Sequence, residues 1–206
     1  MNESRAPLLI VLSAPSGGGK TTLCQQLLAR HPEMSRAITC TTRAPRPGES
    51  DGVDYYFLTP AAFAERVKAG DFLEHATVYG QSYGIPKSQA LDGLRRGCDV
   101  LLAIDVQGAD TVCARASSDP ELSRALVTVF LTPATMDELE TRLRRRAANS
   151  PEDLRQRLEV ARQEIAQSKN FHYLIISSTV QEDVRRMEAI LDAERMRQTR
   201  ARPPGQ

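Results

Sequence analysis

The sequence predicts an α/β fold, a parallel sheet flanked by helices and interrupted by a small mixed α/β insertion. Three observations carry that expectation. Leu8 to Ser13 is a continuous apolar run that enters the turn Pro15-Ser16-Gly17-Gly18-Gly19-Lys20, and Thr21 to Arg30 then reads as a helix, so strand, loop and helix follow in order. Further apolar runs at Val100 to Ile104, Ala125 to Leu131 and Tyr173 to Ser177 have the character of buried strands and alternate with helical patterns. Seven of the ten aromatic residues (Tyr55, Tyr56, Phe57, Phe63, Phe72, Tyr79 and Tyr83) crowd into positions 55–83 among turn residues, which breaks the rhythm and marks the insertion.

Each element has a local reason. His31-Pro32 stops the first helix, because proline cannot continue it. Helical patterns cover Pro86 to Arg96, Gly108 to Ala116, Thr135 to Arg146, Pro151 to Gln167 and Val180 to Arg197. Thr135 with Glu138 makes a capping box, and Ser150 before Pro151 supplies an N-cap with proline in the first helical position. Ser35 to Ile85 forms the inserted subdomain, with short strands, a helix near Pro60 to Lys68 and most of the aromatics as its minor core. Arg195 to Gln206, with four arginines and two prolines, reads as a frayed, solvated tail.

Composition narrows the function classes. With 27 Lys and Arg against 26 Asp and Glu, the net charge of +1 argues against a nucleic-acid surface covering the domain. An apolar content of 41% over 206 residues suits one folded domain and excludes disordered and disulfide-scaffold classes. Cys24, Cys40, Cys98 and Cys113 form no C-x-x-C pair, so reduced, mostly buried thiols in a cytoplasmic enzyme are expected. The run Leu8 to Leu12 is too short for a signal peptide, and no stretch approaches the ~20 apolar residues of a membrane span.

Ala14-Pro15-Ser16-Gly17-Gly18-Gly19-Lys20-Thr21 matches G-x-x-x-x-G-K-[ST] with Ala14 in place of the first glycine. In such a loop successive backbone N–H groups and the helix N-terminus face an anion. Lys20 would reach the β- and γ-phosphates, and the Thr21 hydroxyl would hold Mg²⁺. The fold class is therefore expected to be of the P-loop NTPase type. Asp105-Val106-Gln107-Gly108 resembles the D-x-x-G switch of GTPases, yet N-K-x-D is absent, which argues against a switch GTPase.

Arg43-Ala44-Pro45-Arg46-Pro47-Gly48-Glu49, continuing through Asp51-Gly52-Val53-Asp54-Tyr55-Tyr56-Phe57, together with Phe72-Leu73-Glu74, Ser82-Tyr83-Gly84 and Ile104 to Gly108, resembles the guanylate kinases from about Leu8 to about Leu191. The resemblance implies transfer of the γ-phosphoryl of ATP to GMP or dGMP with Mg²⁺. It implies one domain: a core (7–34, 86–140 and 158–198), a nucleotide-monophosphate-binding subdomain (35–85), a helical lid (about 141–157) and a flexible tail (199–206). ATP is expected on Ala14, Pro15, Ser16, Gly17, Gly18, Gly19, Lys20, Thr21 and Thr22. By the same resemblance Arg43, Arg46, Tyr55 and Tyr83 hold the GMP phosphate, and their donor chemistry supports this independently. Glu74 reads guanine, since a carboxylate accepts from N1–H and N2–H₂. Thr39 and Asp105 assist near the base.

Lys20 with the lid arginines Arg142, Arg146 and Arg157 is expected to neutralise the transferring group, leaving Arg144 and Arg145 as surface. The nucleophile is a phosphate oxygen, so no general base is required. Ile85, Ala103 and Ser177 stand where the family usually has a hydroxyl residue, an acid and an Asn, which implies looser base selection. The expected partners are small molecules, with no nucleic acid or membrane, and the chain is expected to be a monomer or homodimer. A kinase for another acceptor such as ribose 1,5-bisphosphate and a non-catalytic guanylate-kinase-like module are the alternatives.

Overall fold

The computed structural model describes residues 6–78, 80–145 and 150–201. Five parallel strands, β1 (Leu9–Ser13), β2 (Ser35–Arg36), β7 (Val100–Ala103), β8 (Leu126–Pro133) and β9 (Tyr173–Ser177), make the core sheet in the order β2-β7-β1-β8-β9. Alternation explains the apolar runs. Leu8, Ile10 and Leu12 pack with Leu23, Leu27, Met187 and Leu191 of α1 (Lys20–Arg30) and α8 (Val180–Arg195), while Leu9 and Val11 join a second cluster on the opposite face. That second cluster is closed by α3 (Lys87–Arg95), α4 (Val106–Ala116) and α5 (Pro120–Ala125), through Ala90, Leu94, Ala109, Val112 and Leu122.

The edge strand departs from expectation. In β9 only Ile175 and Ser177 are buried, whereas Leu174 and Ile176 are exposed, so this strand is covered on one face. Helix α5 interrupts what reads in sequence as loop and strand start. Asp119 caps it by accepting from the amides of Glu121 and Leu122, and Pro120 occupies its first turn.

The insertion carries its own four-stranded sheet, in the order β4 (Tyr55–Phe57), β3 (Thr39–Thr41), β6 (Gln81–Pro86) and β5 (Phe72–Val78). Helix α2 (Pro60–Lys68) lays Phe63 on Phe72 with ring centroids 4.7 Å apart, closing a minor core with Cys40. Residues 35 and 36 pair with β7 in the core sheet, so the insertion begins after them. Of the lid, α6 (Met136–Arg145) and α7 (Pro151–Ala166) pack through Leu139, Leu143, Leu154 and Ala161. Ser150 caps α7 as expected, accepting from the Asp153 amide at 3.1 Å. Thr135 accepts from the Glu138 amide, but Glu138 accepts from Ala134 rather than Thr135, so the capping box closes one residue early.

Arg200, expected in a frayed tail, is buried. Its guanidinium donates to the carbonyls of Arg124 and Leu126 and pairs with Glu194, itself 1% exposed and the acceptor of the Tyr173 hydroxyl. Arg195 likewise reaches Asp99, which accepts the Leu8 amide. Removing one partner of a buried pair strands the other charge. Arg200→Ala is therefore expected to cost about 3 kcal/mol of stability, read as a lowered denaturation midpoint.

Candidate functional site

Where strand order reverses about β1, a crevice opens at the carboxyl ends of the parallel strands, the usual place for a ligand in such sheets. The phosphate loop lies there. Gly17 and Gly19 have φ of 83° and 101°, a region that side chains rarely adopt. Helix α1 starts at Lys20, and its N-cap Gly19 has no side chain to bond the first amides, which are left for an anion. Thr21 is exposed on that first turn. Among the described residues no cluster of three or more His, Cys, Asp or Glu could hold a metal by itself. A lone hydroxyl beside a phosphate cradle suits Mg²⁺, which takes oxygen ligands and keeps several waters or phosphate oxygens.

Lys20 does not lie along the loop. Its Nζ donates to the Ile104 carbonyl at 2.7 Å, and burial lowers its pKa against the attraction of Asp105, Glu164 and Glu74. Asp105 caps α4, Oδ1 accepting from the Gly108 amide at 2.8 Å, so the residue expected to assist the base also starts a helix. Glu74 is 2% exposed. Its Oε2 lies so close to Gly108 that a Cβ there would stand 2.6 Å away, which explains the glycine. Burial and the neighbouring Asp105 push the Glu74 carboxyl up to about 8, against the pull of the Ile85 amide and of Lys20. In the ligand-free protein at neutral pH this carboxyl is mainly protonated, not ionised as the sequence reading assumes.

Glu164 on α7 is a site residue that sequence reasoning missed. Burial raises its carboxyl to about 7 against Lys20, and the Ser16 amide of the phosphate loop turns toward it. Nothing local marks it, because a lone Glu in a charged helix normally faces water.

The acceptor residues gather on the insertion. Arg43 sits over the Tyr55 ring at 5.3 Å, Tyr55 meets Tyr83 edge-on at 6.4 Å, and the Tyr83 hydroxyl faces the Arg43 guanidinium. Arg43 is already engaged: Nη2 donates to both carboxylate oxygens of Glu49 at 2.9 Å, and Nη1 to the Ala44 carbonyl. Glu49 also accepts the Arg46 amide, which folds the loop and leaves the Arg46 side chain exposed. Thr39 is buried in β3. Tyr83→Phe, which removes one donor from this group, is expected to raise KM for GMP about fivefold and leave KM for ATP unchanged in steady-state assays.

Of the expected lid arginines, Arg142 meets the phosphate loop, Nη1 donating to the Gly18 carbonyl at 3.4 Å while Nη2 pairs with Glu138 at 2.5 Å. Arg157 pairs with Asp153 at 3.0 Å on α7. Arg146 lies outside the described residues. Arg144 pairs with Glu140 on the surface as expected, but Arg145 lines a cavity of about 330 Å³ with Gly17, Gly19, Thr22 and Arg142. Ser177 and Asp183 form part of the same cavity wall.

Known proteins are consistent with this arrangement. The guanylate kinase family model matches residues 6–194. A guanylate kinase of Paramagnetospirillum magneticum is 42% identical over 197 residues, covering 96% of this chain and 89% of the relative. One of Clostridium perfringens strain SM101 is 41% identical, with 96% and 88% covered. A crystal structure of guanylate kinase from Anaplasma phagocytophilum is similar with a TM-score of 0.78 at 31% identity, over 96% of this chain and 90% of that one. With the phosphate loop, the arginine and tyrosine group and the buried Glu74 in one frame, and relatives matched over nearly the whole length, the chain belongs to the guanylate kinase family.

Proposed function

We propose that this chain transfers the γ-phosphoryl group of ATP to GMP or dGMP, giving ADP and the guanosine diphosphate. The observation that carries the reading is the buried Glu74 carboxyl beside Asp105, close enough to Lys20 for the base reader and the triphosphate cradle to share one electrostatic centre. The loop amides, Lys20 and Thr22 bind the ATP phosphates, while Arg43, Arg46, Tyr55 and Tyr83 seat the acceptor phosphate. Thr39, Glu74 and Asp105 orient the base. An oxygen of the GMP phosphate attacks the γ-phosphorus in line as the bond to the β–γ bridging oxygen breaks, and the electron pair leaves on ADP. Mg²⁺, held by Thr21, would neutralise phosphate charge when bound. Arg142, Arg146 and Arg157 close over the transferring group with the lid and exclude water.

We place the protein in the cytoplasm as a monomer or homodimer. Cys24, Cys40, Cys98 and Cys113 are all free thiols, and no helix among the described residues is long and apolar enough to cross a membrane. The test is ADP formation from ATP and Mg²⁺ with GMP, dGMP, AMP or ribose 1,5-bisphosphate as acceptor. The guanine nucleotides are expected to turn over fastest. Preference for the sugar phosphate, or no turnover with any acceptor, overturns the reading.

A further inference from the structure

Helices α6 and α7 grip three consecutive residues of the phosphate loop, Ser16, Gly17 and Gly18, from outside. The loop closes as a turn in which the Pro15 carbonyl accepts the Gly18 amide at 2.8 Å, and Gly17 at its third position has the positive φ that glycine supplies without strain. Gly17 rests against α6, where an added Cβ would stand 3.2 Å from Leu143 Cδ2 and 3.3 Å from Leu139 Cδ1. The Gly18 carbonyl accepts from Arg142 of the same helix, and the Ser16 amide donates toward the carboxyl of Glu164 on α7.

Glu164 takes no part in the chemistry proposed above, yet it is held at a cost. Its Oε2 is buried and lacks a hydrogen-bond partner among the described residues, an expensive place for a carboxyl oxygen. Lys20 and Asp105 are the charged groups that face it, and the Lys20 ammonium is bonded to the Ile104 carbonyl instead. Burial raises the carboxyl to about 7, so both protonation states are populated at neutral pH. Each state keeps an accepting oxygen for the Ser16 amide, so the hold on the loop does not depend on ionisation.

Backbone amides cradle an anion only when they converge on it. A peptide tied outward at Ser16 and reversed at Gly17 leaves the first amides of α1 to face the crevice. Without the tie the Pro15–Ser16 peptide is free to turn, and an incoming triphosphate has to order the loop itself. We infer that Glu164 is a positioning residue for ATP, pinning the Ser16 amide from outside so that the loop is already shaped for the triphosphate and is tied to α7. This rests on the reading of ATP as the triphosphate on the phosphate loop.

The test measures equilibrium binding of ATP and, separately, of GMP to the wild type, Glu164→Ala and Glu164→Gln, and follows hydrogen exchange of the Ser16 amide in each ligand-free protein. Glu164→Ala is expected to bind ATP about tenfold more weakly, as loss of one hydrogen bond that orders a loop predicts, and GMP within about twofold of the wild type. Its Ser16 amide should exchange about tenfold faster. Glu164→Gln, whose carboxamide oxygen accepts the same amide, should recover ATP affinity to within about threefold. A Glu164→Ala protein that binds ATP like the wild type overturns the proposal. So does an equal loss of ATP and GMP, which marks general damage, or a Glu164→Gln protein as weak as Glu164→Ala, which marks a charge effect on Lys20 instead. Where Glu164→Ala does not fold, the exchange data decide: protection of the Ser16 amide in both the wild type and Glu164→Gln supports the role, and its absence in the wild type overturns it. Because binding is read without turnover, a wild type that holds ATP but phosphorylates no acceptor counts against the kinase reading alone.

Discussion

Lys20→Ala is expected to lower kcat with GMP on the order of 10³-fold, because on the proposed mechanism it removes the cation that meets the transferring phosphoryl group in a water-poor site. The ligand-free geometry sharpens the expectation. The amino group rests on the Ile104 carbonyl among Asp105, Glu74 and Glu164, so it is held at the crevice rather than free in solvent. Losing it also removes the cation that Asp105, Glu74 and Glu164 share, which is expected to make triphosphate binding worse as well as transfer slower. Lys20→Arg is not a rescue, since a planar fork cannot take the place of a compact ammonium. Initial rates of ADP formation and ATP titrations check both halves. A Lys20→Ala protein that turns over at the wild-type rate would place the chemistry elsewhere.

Glu74→Ala is expected to reduce discrimination of GMP from AMP by at least about 10²-fold, because a reader that hydrogen-bonds its ligand in a buried site loses most of its selectivity when the acceptor goes. A pH signature accompanies it. The folded-state pKa of this carboxyl is raised to about 8, so the ligand-free protein carries a proton there at pH 7. On the proposed reading guanine donates to the carboxylate form, so binding releases that proton, and affinity is expected to rise as pH rises toward the folded pKa and level off above it. Between pH 7 and pH 8.5 the dissociation constant for GMP is expected to fall nearly tenfold, roughly one decade for each unit below the pKa. Glu74→Gln, which cannot ionise, should show a flat profile over the same range. Calorimetry in buffers of different ionisation enthalpy counts the released proton directly, and a count of zero at pH 7 would refute the protonated resting state.

The two results probe the two ends of one charge system. Lys20, Asp105, Glu74 and Glu164 lie close enough to influence one another, which ties the donor loop to the base reader and to helix α7. Arg157 precedes Glu164 by seven residues on α7, close to two turns, so the helix that carries a lid arginine also touches the phosphate loop near its other end. Glu49 acts similarly at the acceptor side, holding the Arg43 fork in place before any phosphate arrives. Burial alone would raise the Glu49 pKa, but the Arg46 amide and Arg43 outweigh it and keep the group below its ordinary value. It therefore stays charged as the competitor that an incoming dianion must displace or share.

Short-range spacing encodes much of this chain. The apolar run into Gly17, Gly18, Gly19 and Lys20, the arginine and tyrosine stretch from Arg43 to Tyr55, the caps at Thr135 and Ser150 and the alternation of strands and helices each depend on neighbours within a few positions. Their physics is backbone conformation and periodicity, and both are local. Other features arise only from long-range packing. Asp183 behind Ser177, Glu164 beneath the phosphate loop, Lys20 on Ile104 and Arg200 on Glu194 and the strand carbonyls are pairings across the fold or between separate elements. Whether a Glu is a solvated surface charge or a half-neutral group in a crevice depends on how much water the packed chain removes, and no spacing rule records that.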